Sequence, residues 1–179
     1  MPAYLLLLVA VLSRLLPHAG WLNFTAVGGA LLYFGARRSW REMLAPMAAL
    51  MATDYLLTAF VYHYSFQWTS YVTTWAWYLA VMALGHILLS AKTTFARVAA
   101  GSLLGPTAFF VVSNYAVWVG GMNMYPQNLG GLAACYVAAL PFYGNDLLST
   151  ALVAGLAFGV PVLLRRMNSA NEAVAGMGR

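Results

Sequence analysis

Residues 129–164 read LGGLAACYVAALPFYGNDLLSTALVAGLAFGVPVLL, and whether the first part of this stretch crosses a membrane decides the fold. A helical crossing of about 30 Å of hydrocarbon needs about 20 apolar residues. The run from 146 to 164 nearly meets that length, whereas the run from 129 to 142 is short and contains Gly130, Gly131 and Pro141.

The rest of the chain places this stretch in an integral membrane protein. Charged residues make up 7% of the 179 residues, against about 25% in ordinary soluble domains. The mean hydropathy is +0.75. Further apolar runs fall at about 2–16, 22–36, 43–62, 72–91 and 98–119, which leaves no room for a separate soluble catalytic domain. The N-terminal run has no Lys or Arg before its apolar core, carries Arg14 within it and lacks an A-x-A site after it, so it is expected to be a retained helix and not a signal peptide.

The basic residues choose between the topologies. If every run except 129–142 crosses, then Arg37, Arg38, Arg41, Lys92, Arg97, Arg165, Arg166 and Arg179 all share one side, and Arg14 alone lies near the other. Cytoplasmic loops carry the excess of Lys and Arg, so the expectation is six transmembrane helices with both termini cytoplasmic. Run 129–142 then becomes a re-entrant or surface helix on the outer side. Residues 1–166 form one transmembrane domain on this reading, and 167–179 a disordered cytoplasmic tail.

This topology collects the unusual polar and aromatic residues on the outer face, in segments 17–23, 62–71 and 120–145. They include His18, Trp21, Asn23, His63, Trp68, Asn123 and Tyr125, with Asp146 at the edge. The third run ends in MATDYLLTAFVYHYSFQW, residues 51–68, which puts Asp54 inside apolar sequence. A carboxylate near mid-helix costs about 2.5–3.5 kcal/mol on insertion scales, so Asp54 should face the bundle interior and find a donor. Arg14 is the available cation. The pair is either a structural lock on helix packing or part of ligand or ion handling.

Nine of the nineteen residues from 60 to 78 are aromatic, and from Phe60 to Trp68 every second residue is. That alternation suits an extended segment with one aromatic face, acting as the wall or lid of a pocket for a planar ligand. An interfacial belt or a protein contact explains the same composition. Small residues four apart, at Ala45 and Ala49, Ala48 and Ala52, Gly101 and Gly105, and Gly155 and Gly159, allow close helix approach within the bundle or against another subunit.

Signatures of catalysis are missing from the sequence. It has no Gly-rich phosphate loop, no G-x-S-x-G and no H-E-x-x-H, and His18, His63 and His86 lie far apart. The spacing supports neither a metal nor a haem, and no cofactor is expected. The single Cys135 cannot form an internal disulfide. It reads as a small core residue ahead of a ligand to a soft metal such as a corrinoid cobalt. Scattered basic residues without a patch argue against nucleic acid as a partner.

The stretches LPHAGWLNFTAVGGALLYFG (16–35), APMAALMATDYLLT (45–58) and SNYAVWVGGMNMYPQNLGGLAACYVAALPFYGNDLLSTALVAGLAFG (113–159) resemble a family of small uncharacterised bacterial membrane proteins. That family in turn looks distantly like the S-components, the substrate-binding subunits of energy-coupling-factor vitamin transporters. The resemblance implies an S-component-like six-helix bundle that captures a vitamin-like small molecule on its outer face. It also implies docking on a transmembrane coupling protein with two ATPases, and a loop before the last helix that closes over the ligand. Ala45, Ala49 and Ala52 match the small-residue docking motifs of S-components, whereas the first helix offers only Ala3 and Ala10.

The residues expected to bind ligand are Asn23, Asp54, His63, Trp68, Trp75, Asn114, Trp118, Tyr125 and Asp146. The aromatics would stack, and the amides and acids would hydrogen-bond. Three function classes follow: a binding component for uptake that does no chemistry on its ligand, an accessory subunit of a larger membrane complex, or an intramembrane enzyme acting on lipid. For the last, Arg14, Asp54 and Asn114 are the candidate polar residues.

Overall fold

The computed structural model describes residues 1–15, 23–120 and 124–177, with side chains as far as residue 169. Among these residues there are six α-helices and no strand: α1 (Pro2–Leu15), α2 (Val27–Arg37), α3 (Leu44–Leu56), α4 (Val72–Leu89), α5 (Phe95–Val119) and α6 (Leu129–Met177). A 3-10 turn, Trp40–Met43, leads into α3, a π turn, Leu57–Val61, extends it, and a second 3-10 turn, Trp68–Tyr71, leads into α4. Four segments, Trp40–Val61, Trp68–Leu89, Phe95–Val119 and Leu129–Ser169, are long and apolar enough to cross a membrane, as in a multi-pass membrane protein.

The short α2 is the centre of the bundle. It packs on α4, α6, α1 and α5, and every residue from Val27 to Ala36 is buried. A helix hydrophobic all round must be enclosed by others, and α2 has no charge before Arg37. Its neighbours come close because glycines line the crossings. A Cβ on Gly35 would lie 1.9 Å from the Met82 carbonyl oxygen of α4, and one on Gly85 would lie 2.2 Å from the Leu32 carbonyl oxygen of α2. On the opposite side, Gly28 and Gly29 meet Thr150 and Val153 of α6. The sequence pairs Gly155 and Gly159, by contrast, have nothing within 4 Å of where a Cβ would stand.

Three expectations are corrected. First, no separate re-entrant or surface helix precedes the last one: α6 runs unbroken through Pro141, Gly144 and Asn145 and continues as a helix to Met177, well into the expected tail. Side chains from α5 brace it on both sides of Pro141. Tyr136 donates its hydroxyl to the Val111 carbonyl at 2.7 Å, the Tyr143 hydroxyl is 2.9 Å from Thr107 Oγ1, and Phe110 packs on both tyrosine rings. In an apolar environment an unbroken helix leaves fewer backbone groups without partners than a broken one.

Second, the described parts of α1 and α2 are about 21 and 17 Å long, so that among the described residues four segments and not the expected six are long enough to cross about 30 Å of hydrocarbon. Third, residues 60–68 do not present one aromatic face. Phe60 ends in the π turn, only residues 63–67 lack helical or turn structure, and Phe60, Tyr62, Tyr64 and Trp68 are exposed while Phe66 turns inward.

The basic residues meet at one end of the bundle, as their distribution in sequence suggests. Arg37 donates to Thr93 Oγ1 at 3.2 Å and lies over the rings of Tyr33 and Phe158. Arg97 donates to the Leu88 carbonyl at 2.9 Å, and Arg38 pairs with Glu42, which also accepts from Tyr4 of α1. Arg165 and Arg166 follow Phe158 by about two turns of α6. Because α6 is one helix, they stay at this end without any re-entrant segment.

Gly35→Val or Gly85→Val should destabilise the protein strongly, at or above the top of the roughly 1–3 kcal/mol range for overpacking, because the new side chain meets backbone that cannot yield. Gly155→Val should be tolerated. Thermal unfolding of the purified variants in detergent compares them directly.

Candidate functional site

The site lies at the end of the bundle opposite the basic cluster, by the last described residues of α1 and the start of α2. The site begins at Asp54, ten residues into α3 and 1% exposed at its side chain. Arg14, at the end of α1, donates from Nη2 to Asp54 Oδ1 at 2.5 Å and from Nη1 to the Leu50 carbonyl at 3.4 Å. Trp75 donates its indole N–H to Asp54 Oδ2 at 2.9 Å, and the Tyr78 hydroxyl stands 3.5 Å from both carboxylate oxygens. Asp54 therefore ties α1, α3 and α4 together at one point.

Aromatic rings cover this pair. Phe66, Tyr71 and Trp75 stack on one another, with Phe66 and Tyr71 5.1 Å apart and inclined by 14°. The Tyr71 hydroxyl meets Thr58 Oγ1, which in turn donates to the Asp54 carbonyl at 2.7 Å. The π turn begins one residue before Thr58, and such turns widen a helix where a side chain must be aimed.

Two neighbouring cavities lie beside the pair. The larger, about 320 Å³, is bounded by α5, α6 and the loop before α6. The smaller, about 230 Å³, reaches Arg14, Asp54, Tyr71 and Tyr78, and the two share Asn23, Phe109 and Asp146. Along α5, Pro106, Phe109, Phe110, Ser113, Asn114 and Val117 line the larger cavity, and along α6, Cys135, Ala138, Ala139, Phe142, Tyr143 and Asp146 do. Both sets follow the three- and four-residue steps of a single helix face. The walls are mainly apolar and aromatic with a few polar groups, as in small-molecule sites generally.

Asp146 is the least compensated group there. It is buried, and its carboxylate accepts from Thr150 Oγ1 at 3.4 Å, one turn along its own helix. Among the described residues the ion pairs are Arg14 with Asp54 and Arg38 with Glu42, and Asp146 takes part in neither. Asn114 donates to the Phe110 carbonyl at 2.7 Å, and Cys135 points its thiol at the Asn114 carbonyl at 3.5 Å.

The loop before α6 is folded back over the cavity. Trp118 donates to the Pro126 carbonyl at 3.0 Å, Gln127 donates to the Trp118 carbonyl at 2.5 Å, and Asn128 Oδ1 accepts the Gly131 N–H at 2.9 Å in the first turn of α6. This holds Met124 and Tyr125 on the cavity wall.

Five of the nine residues singled out from sequence thus line the two cavities: Asn23, Asp54, Asn114, Tyr125 and Asp146. Trp75 reaches the site through Asp54, and Trp118 pins the loop that carries Tyr125. His63 and Trp68 are exposed and outside both linings. His18, Trp21 and Asn123 lie outside the described residues. Phe109, Phe110, Tyr143 and Tyr78 were missed, although the helical spacing of the α5 and α6 sets would have found most of them had α6 been read as one helix. No three His, Cys, Asp or Glu residues come together among the described residues in a way that could hold a metal ion.

Comparison with known families matches the chain to a family of unknown function (DUF6580) over residues 1–172. The chain belongs to this family. No curated protein and no solved structure matches it, so membership brings no activity with it.

The Arg14–Asp54 pair predicts a specific stability pattern. Asp54→Ala strands the half-buried Arg14 guanidinium and should cost up to about 3–5 kcal/mol, whereas the double change Arg14→Met with Asp54→Leu should recover much of that loss. Thermal unfolding of the single and double variants measures the difference. A double variant no more stable than Asp54→Ala would mean that the pair itself, and not the unpaired charge, holds the helices.

Proposed function

We propose that this chain is a membrane-embedded binding component that captures a small molecule in the cavity between α5, α6 and Asn23, ahead of α2, and serves its uptake, with no chemistry on the ligand. The observation that carries the reading is that cavity: about 320 Å³, walled by aromatic side chains, with Asn23, Asn114 and Asp146 converging on it and a pinned loop across it. A volume of this size suits a vitamin-like molecule with a planar or aromatic part.

The charge distribution supports a direction. The basic end belongs in the cytoplasm by the positive-inside rule, which puts the cavity toward the outer face of a bacterial inner membrane. The start of α1 and the end of α6 then both lie on the cytoplasmic side. The resemblance to S-components supports a transmembrane coupling protein with ATPases as partner. An exposed row of small residues on α3, Ala45, Ala48 and Ala52, suits close approach of a partner helix.

That same row favours a second reading, an accessory subunit of a larger membrane complex. Native mass spectrometry of the protein released from detergent separates the two. Uptake capture predicts a retained small molecule in the wild type and its loss in Ala139→Trp, which fills the cavity, with thermal stability kept. Stoichiometric partner proteins and no small molecule in either preparation would favour the accessory subunit.

A further inference from the structure

We infer that the molecule held in this cavity is an organic cation, an ammonium group on an aromatic or planar body, with Asp146 as its counter-ion. The inference rests on the capture reading and deepens it by naming the ligand's charge class.

The charges around the two cavities carry it. The titratable groups lining them are Arg14, Asp54, Tyr71 and Tyr78 on one side and Tyr125, Cys135, Tyr143 and Asp146 on the other. Arg14 is already neutralised by Asp54, at 2.5 Å, and that carboxylate is further held by Trp75. Asp146 has a neutral hydroxyl, Thr150 Oγ1, and no cation among the described residues. With the pair cancelled, the lining described here carries one uncompensated negative group, 7% exposed and bordering both cavities.

Ionisable residues in apolar, membrane-depth surroundings are costly and face partners or pathways. A neutral ligand would leave this cost in place, and an anionic one would add repulsion to it. A cationic ligand removes it, and the gain on binding is large because a buried unpaired carboxylate is the starting state. The rest of the wall suits such a ligand. Phe109, Phe110, Phe142 and Tyr143 line the larger cavity, and aromatic rings suit both the charge and the planar body of such a ligand.

The test uses three probes of one shape on the purified full chain: 2-phenylethylamine, protonated at neutral pH, its neutral counterpart 2-phenylethanol, and the anion 3-phenylpropionate. Binding to the native state raises the unfolding temperature, so thermal unfolding ranks them. The ammonium probe should act at a concentration at least about tenfold lower than either of the others. Asp146→Asn should abolish that preference, and Asp146→Glu, which keeps the carboxylate, should retain it.

Equal or better stabilisation by the alcohol or the carboxylate overturns the charge assignment, as does a preference that survives in Asp146→Asn. So does the absence of binding by all three. If Asp146→Asn does not fold, the wild-type ranking decides alone. The capture reading is decided separately, by whether any molecule is retained in native mass spectrometry: a neutral or anionic retained molecule would leave capture standing and this inference refuted.

Discussion

Helix α2 meets α4 backbone against backbone, with Gly35 under the Met82 carbonyl and Gly85 under the Leu32 carbonyl. Without side chains at these two positions the helices can come closer than side-chain packing allows, and α2 disappears into the bundle from Val27 to Ala36. The consequence is architectural. A central helix of eleven residues fills only the basic end, beside α1. The smaller cavity borders on Arg14 and Val27, and the larger one beside it reaches Asn23, ahead of α2.

The second constraint is where charge is placed in that geometry. Arg14 and Asp54 close the end of α1 against α3 and α4, and each is costly without the other. Their neutrality makes them a lock and removes them from competition for a charged ligand. Asp146, across the same space on α6, has no ion-pair partner among the described residues. The two carboxylates therefore differ in their partners and not in their burial, since both are buried.

Some of this was legible in the sequence. The clustering of Arg37, Arg38 and Arg97 at one end followed from counting charges across candidate crossings. The Arg14–Asp54 pair followed from the cost of an acid in an apolar run with a single cation near its end of the bundle. The continuity of α6 was not legible, because Pro141, Gly144 and Asn145 are helix-breaking signals locally, and what overrides them is tertiary: Tyr136 and Tyr143 anchored on α5 across the proline. The central role of α2 was hidden for a related reason. A short run with three glycines looks like a weak span until its neighbours' backbones are seen against it. The alternation from Phe60 to Trp68 misled because a π turn ends α3 within the pattern, so successive rings leave in different directions.

The claim on which the rest stands is that the cavity beside α5 and α6 is open to water on the side opposite the basic end. Single cysteines placed in a Cys135→Ser background test it in intact cells with a membrane-impermeant thiol reagent. Ala139→Cys, on the cavity wall, should be modified from outside, whereas its exposed apolar neighbour on the same helix, Leu140→Cys, should not. Modification of neither position, or of Ala139→Cys only after the cytoplasmic side is opened, would contradict the account.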